Sequence, residues 1–121
     1  MPKVEMRKEE RYKAELLPEY LQEITVLFSS DFLQCKVTDA SLSGFGFIVK
    51  RPVEFFVIGT NLAIYPLDEN HNIYGKITFA KAISDDFTRI GVELKPVGSQ
   101  FEKYQIELKK IIYKLSKEGI K

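Results

Sequence analysis

Cysteine and histidine are almost missing from this chain: Cys35 and His71 are the only ones. A lone cysteine excludes an intrachain disulfide and fits a reducing compartment. His71 stands in the polar run Asp68-Glu69-Asn70-His71-Asn72, with no Cys, His or carboxylate cluster at metal-ligand spacing around it. It reads as an exposed loop residue, and no metal cofactor is expected. No Ser-His-Asp or Cys-His arrangement can be drawn, so an enzyme is disfavoured. No apolar run approaches the roughly 18 residues that span a bilayer. The start, Met1-Pro2-Lys3-Val4-Glu5-Met6-Arg7, lacks the apolar centre of a signal peptide. A cytoplasmic protein without membrane insertion is expected. The net charge is only +1, so nothing global favours DNA, RNA or an anionic membrane, and an anion site would have to be local. Internal repeats and low-complexity tracts are absent too.

What remains is an ordinary globular composition: 121 residues, 45% apolar and 29% charged. That suits one domain with one modest core. Residues 1–14 are polar and basic, without a clear period. They read as a flexible arm, or alternatively as a short amphipathic helix. From about residue 20 to 95 the chain alternates strand and turn. Segments 23–28, 32–38, 45–49, 61–65, 73–83 and 87–94 carry β-branched and aromatic residues, broken by Ser, Asp, Asn, Gly and Pro. Six short strands with frequent turns predict an all-β domain, a small antiparallel barrel or sandwich spanning residues 15–98. In 73–83 the alternation points Ile77, Phe79 and Ala82 inward. Cys35, in phase with Leu33 and Val37, reads as a buried thiol. Residues 55–58 read as an irregular crossing.

The tail predicts a helix over 99–118. Ser99 and Glu102 have the spacing of a capping box, and Gly119 suits a stop. Phe101, Tyr104, Leu108, Ile111 and Leu115 form one apolar stripe. The stripe is too short for an independent coiled coil, so it is expected to pack on the barrel, giving a monomer or weak dimer. Lys109, Lys110, Lys114 and Lys117 then face solvent or a partner.

Two motifs carry chemistry. Arg7-Lys8-Glu9-Glu10-Arg11 places two guanidinium groups four residues apart, in a chain with four arginines and fourteen lysines. A guanidinium fork matches two phosphate oxygens or the O6 and N7 edge of guanine, and its plane stacks on bases. Two solvated charges on an arm are the plainer reading. Asp39-Ala40-Ser41-Leu42-Ser43-Gly44 follows the second strand. Asp39 can accept from the N1–H and N2–H of guanine, Ser41 offers a hydroxyl, and Gly44 permits close approach. Ordinary turn chemistry explains the same residues.

As a pair in this order, RxxxR on a basic arm and then DxSxxG, the motifs resemble those of PilZ domains, the bacterial receptors for cyclic di-GMP. Arg89-Ile90-Gly91-Val92-Glu93-Leu94 is similar to the closing strand of that family. The resemblance covers roughly residues 5 to 115. It implies a six-stranded antiparallel β-barrel with an added C-terminal helix. It implies a ligand, cyclic di-GMP, on the outside of the barrel between the arm and the DxSxxG strand, in some members as two stacked molecules. The candidate ligand-binding residues are Arg7, Lys8, Arg11, Asp39, Ser41 and Gly44. Binding would fold the arm down and change the surface offered to a separate effector protein, for instance in motility, pilus or biofilm control. Glu9 and Glu10, between the arginines, depart from a purely cationic clamp. The competing expectation is a PilZ-like adaptor that binds no nucleotide.

Overall fold

The computed structural model describes residues 10–66 and 72–117. Arg7, Lys8, Glu9, His71 and Gly119 lie outside them. The elements run β1 (Tyr12–Lys13), two 3-10 turns (Ala14–Leu16 and Glu19–Leu21), β2 (Glu23–Phe28), β3 (Asp31–Ser41), β4 (Gly44–Val49), a 3-10 turn (Val53–Phe55), β5 (Asn61–Tyr65), β6 (Ile73–Ala82), β7 (Thr88–Leu94) and α1 (Ser99–Lys117). The last 3-10 turn starts the crossing that the sequence left irregular.

The predicted barrel is the one that forms. Its strands pair in the order β3-β2-β5-β6-β7-β4, and β4 pairs again with β3, which closes the sheet. All the pairs are antiparallel. Closure removes the open edges that would otherwise template aggregation. β1 adds to the far end of β3, with Tyr12 opposite Ala40 and Lys13 opposite Asp39. Tyr12 is buried. The end of the basic arm is therefore stitched to the strand that carries Asp39.

Inside, Phe45 and Phe47 of β4 meet Ile90 and Val92 of β7, with Ile64, Ile73 and Ile77 from the other side. Burying each such side chain contributes roughly 1.5–3 kcal/mol. The stripe of α1 packs on this core: Phe101, Tyr104, Leu108 and Leu115 are buried, and Ile111 is partly so. The Tyr104 ring lies 4.8 Å from that of Phe45. Its hydroxyl donates to the Ser41 carbonyl at 2.7 Å. The Gln105 amide donates to the Leu42 carbonyl at 2.7 Å. The helix thus clamps the β3–β4 turn.

Three expectations need correction. The first helical hydrogen bond runs from the Glu102 amide to the Gly98 carbonyl at 3.3 Å, so Gly98 rather than Ser99 holds the cap position. β3 does not end at residue 38; it continues through Asp39 to Ser41. Phe79 and Ala82 are exposed rather than inward. For Phe79 the cause is a bulge between Ile77 and Phe79, one extra residue that reverses the alternation beyond it; Ala82, opposite the buried Thr88, is exposed as the last residue of the strand.

Cys35 is buried as read. Burial pushes its thiol up to about 12, and the Arg51 charge offsets only part of that. The folded protein therefore holds this proton more tightly than the unfolded chain. The resulting stabilisation is complete below the unfolded value of about 8.5 and is lost as pH rises toward the folded value. At pH 8 the native thiol should resist Ellman's reagent, and one equivalent should react after unfolding in guanidinium. Rapid labelling of the native protein would contradict the burial.

Candidate functional site

The site begins with a second bulge. Val37 pairs with Phe47 of β4, but Asp39 pairs with Gly46, leaving Thr38 as the extra residue. Without it, Asp39 would share the inward phase of Cys35 and Val37. With it, Ala40 takes the interior position and Asp39 turns outward. Asp39 in the barrel core would be an uncompensated charge; outside, it can meet cations.

The register then carries a single row across four strands: Asp39 of β3, Gly46 of β4, Gly91 of β7 and Phe79 of β6. Both ends of the row are bulge residues and both middle positions are glycines. The flanking side chains lean over those glycines. A Cβ on Gly46 would stand 2.5 Å from Asp39 Oδ1 and 2.8 Å from Thr38 Oγ1. A Cβ on Gly91 would stand 3.2 Å from that of Phe79. Together with Arg11, Thr78, Arg89 and Ile90, the row lines a cavity of about 400 Å³ on the outer wall of the barrel.

Two arginines meet Asp39 there. Arg11, just before β1, reaches Oδ1 at 3.5 Å, and Arg89 of β7 reaches Oδ2 at 3.6 Å. The Asp39 side chain is only 16% exposed between them. Among the described residues, Asp39 Oδ1 and Thr38 Oγ1 are buried and take part in no hydrogen bond, so the Arg11 contact is an ion pair only. A buried acceptor left in this state costs on the order of 1–3 kcal/mol. Donors arriving at this spot would satisfy both.

The sequence candidates thus divide. Arg11 and Asp39 come together. Ser41 is buried beneath the helix, and Gly44 is packed against β7, where a Cβ would stand 2.6 Å from the Val92 carbonyl oxygen. Neither lines the cavity with Arg11 and Asp39. Arg89, Phe79, Thr38 and Gly46 were not singled out for the site. Alternation along β7 could have placed Arg89 outward, but its meeting with Asp39 depends on closure of the barrel. A second cavity, about 380 Å³, lies elsewhere among Phe28, Arg51, Phe55, Phe56 and Leu62. It is mainly apolar, and its Arg51 already faces Asp31 at 3.9 Å. It suits an anionic ligand less well.

No family model and no curated protein matches the sequence. Solved structures do match. The PilZ domain of YcgR from Escherichia coli, with c-di-GMP, superposes with a TM-score of 0.60 at 15% identity, covering 95% of each chain. The chain has the PilZ fold. The K. pneumonia MrkH–c-di-GMP complex gives a TM-score of 0.67 at 16% identity, covering 96% of this chain and 55% of that one. The Bacillus subtilis inhibitor of motility, MotI/DgrA, gives 0.66 at 12% identity, covering 94% and 53%. The chain therefore spans about half the length of the latter two proteins and nearly all of the isolated PilZ domain. Among the described residues, no group of three or more His, Cys, Asp or Glu could hold a metal ion. No helix among them is long and apolar enough to cross a membrane.

The two glycines of β4 should behave differently in this PilZ fold. Gly44→Ala must push backbone from backbone, and should cost about 2 kcal/mol or more in urea denaturation. Gly46→Ala meets only the ends of the Asp39 and Thr38 side chains, and should cost about 1 kcal/mol or less while displacing the carboxylate. The reverse ranking would show that Gly44 is not held by packing on β7.

Proposed function

We propose that this chain is a receptor for cyclic di-GMP, with the ligand on the outer wall between the basic arm and β3. The observation that carries the reading is Asp39, turned outward by a bulge and set between two guanidinium groups, beside buried acceptors that lack donors. Guanine supplies those donors through N1–H and N2–H. Phosphates supply the anion that Arg11 would take in exchange for Asp39, with Arg7 and Lys8 from the arm. Ser41 and Gly44 would shape the strand end from within.

Magnitudes favour the exchange. A partly exposed ion pair is worth roughly 0–1 kcal/mol. A charge-assisted bond to phosphate contributes on the order of 1.5–3 kcal/mol. Glu10 accepts from the Tyr12 hydroxyl at 2.9 Å, so one of the two carboxylates between the arginines already has a partner in Tyr12. Binding would draw the arm onto the barrel and alter the surface that a separate effector protein meets. This is the action of a non-enzymatic sensor in the bacterial cytoplasm, with motility, pilus or biofilm control as its setting.

The second reading is a PilZ-like adaptor without nucleotide. What favours it is that Asp39 already has two cationic partners, Arg11 and Arg89, without a ligand.

Equilibrium titration separates the two readings. Cyclic di-GMP should bind, and GMP and cyclic AMP should bind much more weakly, since neither offers two guanines and two phosphates. Arg7→Ala, Arg11→Ala and Asp39→Ala should each weaken binding about tenfold or more. Lysine should rescue the arginines poorly, because a point charge lacks the fork and the stacking plane. Absence of binding by the parent would favour the adaptor, and full binding by the alanine variants would overturn this placement of the ligand.

A further inference from the structure

The outer face of α1 takes no part in the core or in either cavity described above. Along it five exposed residues follow one another at steps of 3, 4, 3 and 4: Lys103, Ile106, Lys110, Tyr113 and Lys117. That spacing is a heptad, with lysine at every a position and Ile106 and Tyr113 at the d positions. The stripe lies opposite the one that Phe101, Tyr104, Leu108 and Leu115 bury against the barrel. Ile106 is 54% exposed and Tyr113 is 65% exposed, about 10 Å apart along the helix axis. No carboxylate interrupts the stripe. Glu107 lies on its flank, where it accepts from the Tyr20 hydroxyl at 2.9 Å and meets Lys110 at 3.6 Å. The Lys117 ammonium stands 5.7 Å from the centre of the Tyr113 ring.

We propose that this stripe docks an acidic amphipathic helix of a partner protein, with carboxylates set opposite the lysines and large apolar residues opposite Ile106 and Tyr113. A 3-4 repeat is the spacing at which a second helix seats its side chains. Ile106 and Tyr113 supply the apolar part of the seam, and Lys103, Lys110 and Lys117 set the sign of its partner. The same charges decide against the other occupants. A second copy of the chain would bring its own three lysines into the seam, a like-charge arrangement that opposes pairing. A helix that lies in an anionic membrane buries its apolar face there, and that face of α1 is already packed on the barrel. The stripe is short, and two free helices of this length would pair poorly. Here one of the two is held in place by the barrel, so the partner alone bears the cost of ordering. The contact is therefore reversible and governed by charge. It serves a receptor and an adaptor alike, since nothing in it involves nucleotide.

The probe is a fluorescein-labelled synthetic peptide of three heptads, with Glu at each a position and Leu at each d position. Its anisotropy is followed as the full chain is added at low salt, without nucleotide. The parent should bind it. A peptide of the same composition in scrambled order should bind about tenfold more weakly or worse, because it presents no seam. Lys110→Glu should weaken binding about tenfold, and Tyr113→Ala by a similar factor. Lys76→Glu, which makes the same charge change on β6, should bind like the parent. Circular dichroism checks that each variant is folded. The triple variant Lys103→Glu, Lys110→Glu, Lys117→Glu should lose the acidic peptide and take up its counterpart with Lys at each a position. Equal binding of the scrambled peptide, or an equal loss in Lys76→Glu, would reduce the stripe to general basic charge and overturn the docking site. No binding by the parent overturns it as well. So does co-sedimentation with phosphatidylglycerol vesicles that Lys110→Glu abolishes while the peptide goes unbound, which would assign the face to a membrane, or a dimer that Tyr113→Ala dissolves, which would assign it to a second copy.

Discussion

Side chains on a strand alternate with period two, and the extra residue between Val37 and Asp39 breaks that alternation in β3. Everything at the site depends on that reversal. Cys35 and Val37 face the core, and strict alternation would send Asp39 after them into a space filled by Phe45, Phe47 and Ile90. The bulge substitutes the small Ala40 at the core position and releases the carboxylate to the outer wall. β1 pairs at this same point, so Arg11 enters the structure where Asp39 leaves the core. The fold and the charge arrangement are one event, not two.

The matching irregularity in β6 produces the opposite wall. Two bulges bracket β4 and β7 at the level of Gly46 and Gly91, and between them the outer surface has no side chains of its own. Polar groups lean in from one side and an aromatic ring from the other. Bulges redirect side chains in just this way, and they gather near binding sites. The arginines hold the carboxylate in a low-exposure position without burying it fully. The cost of desolvation stays modest and exchange for a stronger anion remains open.

Much of this was legible in the residues. Turn chemistry and β-branched runs located all six barrel strands, and the stripe from Phe101 to Leu115 located the helix. Arg11 and Asp39 stood out by residue type and order. What could not be read was phase. Periodicity assigned Phe79 to the interior because an alternating pattern gives no sign of an inserted residue. Ending the second strand at Thr38 concealed that Asp39 is a strand residue with an exposed direction. Arg89 lies fifty positions from Asp39, and only the closing pair of β4 with β7 and β3 brings them together. Gly44 carried a motif role in the sequence, yet its nearest neighbour is the Val92 carbonyl, a packing constraint that no local pattern encodes.

Amide chemical-shift mapping during a titration with cyclic di-GMP tests the central claim most directly, that the outward carboxylate marks where the ligand sits. The largest changes should fall on Arg11, Asp39, Gly46, Phe79 and Gly91, the last four from strands that neighbour one another across the outer wall. Changes centred instead on Phe28, Arg51, Phe55 and Leu62, around the apolar cavity, would contradict it, as would a spectrum that does not respond at saturating ligand.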